Sequence, residues 1–207
     1  MKKVKINVYT MRHGDKDGDK LTAKGFEQVH ESAIRNLAGI PFNAIYCSEK
    51  HRALQTAETA AAALELHGIT IGQRLGFDYE GAPDIERAAE LGKAAKELAN
   101  GGKVMVSHWK KVAPAFVDFV AERFRTEIKA VIANLLLEKD DEEEINILIA
   151  SHSPTCELVK VGDGDFPTLG EADVVLYEIE YVEAHNDIDG VKFVSKTHIP
   201  ASAPVAA

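Results

Sequence analysis

The feature that most constrains the fold is an apolar run in the last third of the chain, Ile145-Asn146-Ile147-Leu148-Ile149-Ala150. Successive side chains of a strand point to opposite faces of the sheet, and here both faces are apolar. This pattern is typical of a strand buried in the middle of a parallel sheet. A second apolar strand is predicted from Val4 to Thr10. Parallel strands need long crossover connections, usually helical, so we expect an α/β protein.

Both predicted strands end in residues that can bind phosphate. The first continues into Arg12-His13-Gly14, and the second into Ser151-His152-Ser153-Pro154. An arginine offers a planar charged fork that matches two phosphate oxygens, and a neutral histidine nitrogen is nucleophilic near neutral pH. A glycine lets the backbone turn sharply and approach an anion closely. Since ligands of open α/β sheets bind at the carboxyl ends of strands, both histidines are expected at one edge.

Helical spacing predicts the element that follows the first strand. Thr22 is a suitable N-cap, and apolar residues then recur three to four positions apart. The predicted buried face consists of Phe26, Val29, Ala33 and Leu37.

A further strand over 43–48 ends in Ser48, a predicted N-cap for the next helix. The apolar stripe of that helix is predicted to contain Leu54, Ala57, Ala61 and Leu64, with Arg52 in the first turn and off the stripe. A first-turn residue lies beside the carboxyl edge of the sheet, and a helix amino terminus favours an anion. A surface arginine is the alternative interpretation of Arg52.

Two arginines and two histidines at one edge predict an anion between them. Like charges repel, and a buried arginine needs a partner. A phosphoryl group would neutralise both guanidinium groups and would then no longer repel a nucleophile.

The remaining pattern predicts one domain over 1–200, with a helical insertion at about 76–140 and a disordered tail over 201–207. Shorter predictions are a strand over 69–75, a helix over 85–98, a strand or helix entry over 104–109, and a long helix after Pro114. The runs Val174–Val182 and Val191–Thr197 form a hairpin or two separate strands. The expected fold class is an α/β three-layer sandwich, with a mostly parallel central sheet and helices on both faces.

The bulk composition limits the partners and the compartment. The formal net charge of −9 argues against binding to nucleic acid or an anionic membrane, so a phosphate site would be a local positive pocket. The amino terminus lacks the apolar stretch of a signal peptide, and no segment is apolar enough to cross a membrane. Cys47 and Cys156 make no disulfide framework, so we expect a cytoplasmic protein.

The chain resembles the histidine phosphatase superfamily, the phosphoglycerate mutase-like proteins. The matching motifs are Met11-Arg12-His13-Gly14, Leu21-Thr22-x-x-Gly25-x-x-Gln28, Ser48-Glu49-x-x-Arg52-Ala53-x-Gln55-Thr56-Ala57, and the strand that ends in Ser151-His152. They occur in family order and span about residues 4 to 160.

The resemblance implies roles for these residues. His13 would attack phosphorus and become a phosphohistidine, which water then hydrolyses. Arg12, Arg52 and His152 would bind the phosphoryl group, with Gly14 and Ser153 also predicted at the substrate. The family needs no metal, and no cofactor is expected.

The general acid is where the chain departs from the family pattern. Phe77 stands where a glutamate is expected, two residues past Leu75. Asp78 and Glu80 are therefore both candidate acids, and a solvated acidic loop is the alternative. His108 also follows a Val-Ser pair, but only His152 follows a strand of central character.

We therefore expect a metal-independent phosphatase that acts on a small phosphorylated substrate or on phosphohistidine in a protein. One alternative is a phosphoglycerate mutase, although Asp15 stands where mutases usually carry glutamate. The other is a non-catalytic member of the fold that binds phosphorylated ligands. We expect residues of the 76–115 region and of the 15–20 loop to determine which substrate is bound.

Overall fold

A computed structural model of the protein describes residues 3–138, 143–182 and 190–201. The strands are β1 (Lys3–Arg12), β2 (Lys16–Asp17), β3 (Lys20–Leu21), β4 (Ala44–Cys47), β5 (Ile71–Gln73), β6 (Glu144–Ser151), β7 (Val174–Val182) and β8 (Val191–Ile199). The helices are α1 (Ala23–Leu37), α2 (His51–Ala63), α3 (Ala88–Leu98), α4 (Val106–Val112) and α5 (Pro114–Glu138).

The main sheet has the strand order β5-β4-β6-β1-β7-β8. The first four of these strands are parallel, whereas β7 is antiparallel to β1 and β8 is antiparallel to β7. The predicted central position of the apolar run is confirmed, because β6 lies between β1 and β4. The register pairs Arg12 with Ser151, so the histidines that follow leave the same edge side by side.

The two faces of the sheet carry separate apolar layers, because successive side chains of a strand point to opposite faces. Met11, Ile45 and Leu148 pack with α1 and α2 on one face. Val8 and Ile147 pack with α5 on the other. The predicted α/β sandwich of a mostly parallel sheet with helices on both faces is thereby confirmed.

The region from 76 to 140 contains α3, α4 and α5. The ambiguous segment 104–109 is mainly helix, since α4 begins at Val106, although Met105 makes an isolated bridge to Pro167. Leu91, Phe116 and Val120 form a third apolar cluster there, with Trp109 packed against it.

Two predicted apolar faces need correction. Phe26 is 39% exposed, and the first turn of α1 instead buries Gly25. In α2, Ala57 is buried as predicted, but Ala53 and Ala60 are buried in place of Leu54 and Ala61, which are only partly buried. Arg52, predicted to lie off the apolar stripe, belongs to the buried face. Gly25 is buried because it lies against the carbonyl oxygen of Asp15, whereas Val29, Ala33 and Leu37 further along α1 are buried as predicted.

Of the two N-cap predictions, one is confirmed and the other is wrong. Thr22 caps α1, with its hydroxyl oxygen accepting a hydrogen bond from the Gly25 N–H at 3.1 Å, as predicted. Ser48 is not a cap, because α2 begins at His51 after Lys50, and the Ser48 hydroxyl is used elsewhere.

The predicted disordered tail lies outside the described residues, except for Ala201. No helix within the described ranges is both long and apolar enough to cross a membrane.

Candidate active site

The structure brings Arg12, His13, Arg52 and His152 together at the carboxyl edge of the sheet. The rings of His13 and His152 are 5.4 Å apart between centroids. The charges of both arginines act on both imidazoles. We call these four residues the anion clamp.

His13 is held in one tautomer. Its Nδ1 lies 2.8 Å from the carbonyl oxygen of Gly14. Because a carbonyl only accepts, Nδ1 carries the proton, and Nε2 keeps its lone pair. Burial lowers the pKa of His13 to about 4, and the charges of Arg12 and Arg52 act in the same direction. The ring is therefore neutral and nucleophilic near pH 7.

The loop after His13 lies directly on the first turn of α1. A Cβ added to Gly14 would lie 2.3 Å from the carbonyl oxygen of Gly25. A Cβ added to Gly25 would lie 2.0 Å from the carbonyl oxygen of Asp15. The Thr22 hydroxyl donates to the Asp15 carboxylate at 2.6 Å, which fixes this loop to the helix.

His152 is oriented by Ser48. The Ser48 Oγ lies 2.7 Å from Nε2 of His152, and both residues are buried. The Lys50 N–H reaches the same Oγ at 3.4 Å, which leaves the serine proton free to be donated to Nε2. Nδ1 of His152 then carries a proton, and it is buried without a partner among the described residues. Burial, followed by the charge of Arg52, lowers the pKa of His152 well below its usual value.

Both guanidinium groups of the anion clamp are anchored on one side only. Arg12 donates from Nη1 to the Leu169 carbonyl, and Arg52 donates from Nη1 to the Asp19 carboxylate. The Nε–H groups of both arginines are buried and have no partner within the described part of the chain. Unpartnered buried donors cost free energy, and an anion would supply acceptors for them.

Asp19 was not predicted as part of the site. Its other oxygen accepts a hydrogen bond from the His51 N–H, the first residue of α2, at 3.2 Å. A carboxylate thus lies against Arg52 and the helix amino terminus, where the sequence predicts phosphate. One aspartate among several charged loop residues gives no sequence signal for this contact.

The structure distinguishes the two candidate acids. Asp78 is 1% exposed; its Oδ1 accepts from the Glu80 N–H at 2.9 Å, and its Oδ2 is buried without a described partner. Glu80 is exposed and bonds the Lys50 ammonium at 2.7 Å, which lowers the pKa of Glu80. Asp78 therefore keeps one buried oxygen without a described partner, with the Arg123 guanidinium 4.0 Å from the other oxygen, whereas the Glu80 carboxylate is held ionised by Lys50.

Two further residues that the sequence analysis considered, Ser153 and His108, make hydrogen bonds outside the anion clamp. The Ser153 hydroxyl donates to Oε1 of Glu157, a fully buried carboxylate that sequence reasoning missed. His108 lies in α4, where its Nδ1 accepts from the Met105 N–H at 3.1 Å. In the described ranges, no three His, Cys, Asp or Glu side chains are grouped as a metal site.

Comparison of the sequence with protein-family models gives a match to the histidine phosphatase superfamily (branch 1) over residues 6–159. No curated protein gives a match.

Solved structures of similar fold come from several bacteria. A phosphoglycerate mutase from Bacillus anthracis is 21% identical, with 90% of this chain and 95% of that chain covered and a TM-score of 0.54. A mycobacterial hydrolase is 17% identical, with 100% and 94% covered and a TM-score of 0.61. The protein histidine phosphatase SixA in complex with tungstate is 17% identical, with 94% and 97% covered and a TM-score of 0.52. At these identities the likeness concerns the fold.

Proposed function

Because this chain belongs to the histidine phosphatase superfamily, branch 1, we propose that it is a metal-independent phosphatase. It hydrolyses a phosphomonoester, or a phosphohistidine in a protein, through a phosphohistidine intermediate on His13. The observation that carries this proposal is the single tautomer of His13, whose neutral ring presents the Nε2 lone pair beside two guanidinium groups.

In the first step, the Nε2 lone pair of His13 forms a bond to phosphorus. The bond between phosphorus and the ester oxygen breaks, and the electron pair passes to the leaving oxygen. That oxygen takes a proton from Asp78 in its acid form. Arg12 and Arg52 donate hydrogen bonds to the phosphoryl oxygens and balance their charge.

In the second step, water attacks phosphorus and gives a proton to the Asp78 carboxylate. The bond between nitrogen and phosphorus breaks, and its electron pair returns to Nε2. Throughout both steps the Nδ1–H of His152 donates to a phosphoryl oxygen, because Ser48 fixes the opposite ring nitrogen. Such a donor strengthens as charge develops in the transition state.

The substrate is a small phosphorylated molecule or a phosphorylated protein, with Gly14 and Ser153 beside it. We place the activity in the cytoplasm, since Cys47 and Cys156 are free, buried thiols that suit a reducing compartment.

Hydrolysis of p-nitrophenyl phosphate in the presence of EDTA tests the proposal, with the parent and His13→Ala compared. We expect activity that survives EDTA and is lost in the variant. A panel with 3-phosphoglycerate and a phosphohistidine peptide separates a phosphatase from a mutase and identifies the substrate class.

Asp78→Asn and Glu80→Gln test the acid. We expect the first to slow release of a poor leaving group strongly and the second to have little effect. Parent protein that binds phosphate but hydrolyses none of these substrates would favour a non-catalytic, phosphate-binding member of the fold.

A further inference from the structure

A second buried carboxylate, that of Glu157, lies behind the anion clamp and has no role in the reaction described above. Its side chain is completely buried, in a short helical turn that follows His152. Buried carboxylates are rare unless they are paired or hydrogen-bonded.

The contacts of Glu157 lead to Arg12. Its Oε1 accepts from the Ser153 hydroxyl and from the Leu169 N–H, the latter at 3.2 Å. The carbonyl oxygen of the same Leu169 accepts from the Arg12 guanidinium. Glu157 therefore fixes the peptide segment to which Arg12 is anchored.

Glu157 has a second oxygen that is not satisfied. Oε2 is buried and has no hydrogen-bond partner among the described residues. Burial raises the pKa of Glu157 to about 7, while the Ser153 hydroxyl, the Leu169 N–H and the charge of Arg12 favour the ionised form. Oε2 is thus a place where a proton can be held.

The other titratable groups around Glu157 come from every element packed against it. Lys196 of β8 donates to the carbonyl oxygens of Glu157 and Val159 at 2.9 and 3.1 Å. Tyr177 of β7 donates to the carbonyl oxygen of Cys156 at 2.7 Å, and burial raises the pKa of both Tyr177 and Cys156, so both stay neutral. Helix α5 contributes Arg125, whose charge acts on Tyr177. Among the described residues, Arg12 and Lys196 are thus the cations coupled to the Glu157 carboxylate, and burial lowers the pKa of Lys196 to about 8.

We propose that Glu157 is a positioning residue that holds the Leu169 carbonyl for Arg12 and takes up a proton when an anion enters the clamp. This inference rests on the proposed function of the clamp as a phosphoryl site. An empty clamp leaves the charge of Arg12 to stabilise the Glu157 carboxylate. A bound dianion neutralises the positive charge of Arg12, and its own negative charge repels the Glu157 carboxylate. Both effects disfavour the ionised form, so the proton affinity of Glu157 rises. By linkage, protonated Glu157 strengthens anion binding by the same factor.

Calorimetric titration with sulfate tests the inference, because sulfate does not titrate near neutral pH. The titration is run at about pH 7 in two buffers of different ionisation enthalpy, which yields the number of protons taken up. Because a group with a pKa of about 7 is half protonated at this pH, we expect the parent to take up as much as about half a proton more per sulfate than Glu157→Gln. Uptake that remains in the variant belongs to other groups, such as His13, His152 and Lys196. Glu180→Gln, on the exposed side of β7, is the matched control and should behave like the parent.

Ser153→Ala keeps the carboxylate but removes a hydrogen bond that favours its ionised form. In this variant we expect the pH of maximal proton uptake to move upward. This variant decides the matter if Glu157→Gln does not fold.

The outcomes separate the inference from the proposed function. Equal proton uptake by the parent and Glu157→Gln, or an unchanged profile in Ser153→Ala, would overturn the role of Glu157 and leave the phosphatase proposal standing. Absence of sulfate binding by the folded parent would contradict the clamp itself, and both proposals with it. Loss of hydrolysis in His13→Ala would support the phosphatase proposal and would not test the role of Glu157.

Discussion

The hydroxyl of Ser48 binds Nε2 of His152, which leaves Nδ1 as the nitrogen that the proposed function assigns to the phosphoryl group. Replacing Ser48 by alanine removes that hydrogen bond and frees the buried ring to adopt either tautomer. One such hydrogen bond contributes about 1 to 3 kcal/mol, so we expect kcat/KM for p-nitrophenyl phosphate to fall about tenfold or more.

Ser195→Ala is the control for the Ser48 experiment. The Ser195 hydroxyl donates to Glu178 between β7 and β8, away from the clamp. Equal losses in the two variants would mean that Ser48 acts only on stability.

Asp19 binds the Arg52 guanidinium that the proposed function assigns to the phosphoryl group, so the two anions would compete for it. Asp19→Asn removes the negative charge but keeps a side chain that can accept from the His51 N–H. We expect sulfate to bind several-fold more tightly, because the Arg52 guanidinium no longer has an ionic partner in the empty protein. Titration of sulfate at low ionic strength measures the effect. Asp17→Asn, on the exposed β2, is the control, and an equal gain there would indicate only a general change in charge.

At single positions the sequence predicts residue type and neighbourhood better than it predicts partners. Arg12, His13, Arg52 and His152 could be placed at one edge because each follows a strand or begins a helix. Ser48 could not be assigned, since serine at the end of a strand is equally suited to an N-cap. Glu157 could not be found at all, because its burial depends on the loop around Leu169 and on β8, which meet it only in the folded chain.

The close crossing of α1 over the loop after β1 is an element-scale constraint on the site. Gly25→Ala would place a methyl group against the Asp15 carbonyl and push the His13 loop away from α1. We expect a stability loss of about 1–3 kcal/mol from this overpacking, together with lower activity.

Gly92→Ala in α3 is the matched substitution for Gly25→Ala. Its added Cβ would meet the Trp109 ring at 3.4 Å, and alanine favours a helix over glycine. The melting temperature of this control should stay unchanged or rise. A Gly25→Ala protein as stable and active as the parent would contradict the packing described for the loop.

The elements themselves were largely predictable, because strands and helices follow from hydrophobic periodicity. The buried faces of α1 and α2 were less predictable. Leu54 and Phe26 are the larger apolar residues, but Ala53 and Gly25 are the ones that the fold buries. The distance between two elements is a tertiary property, and the pattern within one segment does not contain it.

The whole molecule should lose stability as the pH falls from about 6.5 to 4. The pKa of His13 lies at about 4 in the folded protein, below its value of about 6.5 in an unfolded chain. Protons then bind the unfolded chain first, so the stability present above pH 6.5 is lost progressively toward pH 4. His152 acts in the same direction, whereas Glu157, with a raised pKa, acts in the opposite one.

Urea unfolding of the parent and His13→Gln at pH 8 and pH 4 isolates the part due to His13. Between these pH values we expect the parent to lose about 3 kcal/mol more than the variant. A pH-independent difference between the two proteins would mean that His13 is not held neutral by burial.

The position of β6 has a consequence for how the chain is made. β1 and β4 are synthesised early, but the strand that joins them leaves the ribosome only after the long α5. Until then, both strands present unpaired edges, and His13 and Arg52 have no common support. The nascent chain therefore cannot assemble the clamp gradually. The insertion of β6 joins β1 to β4 and delivers His152 in one step, while β7 must still pair with the other edge of β1.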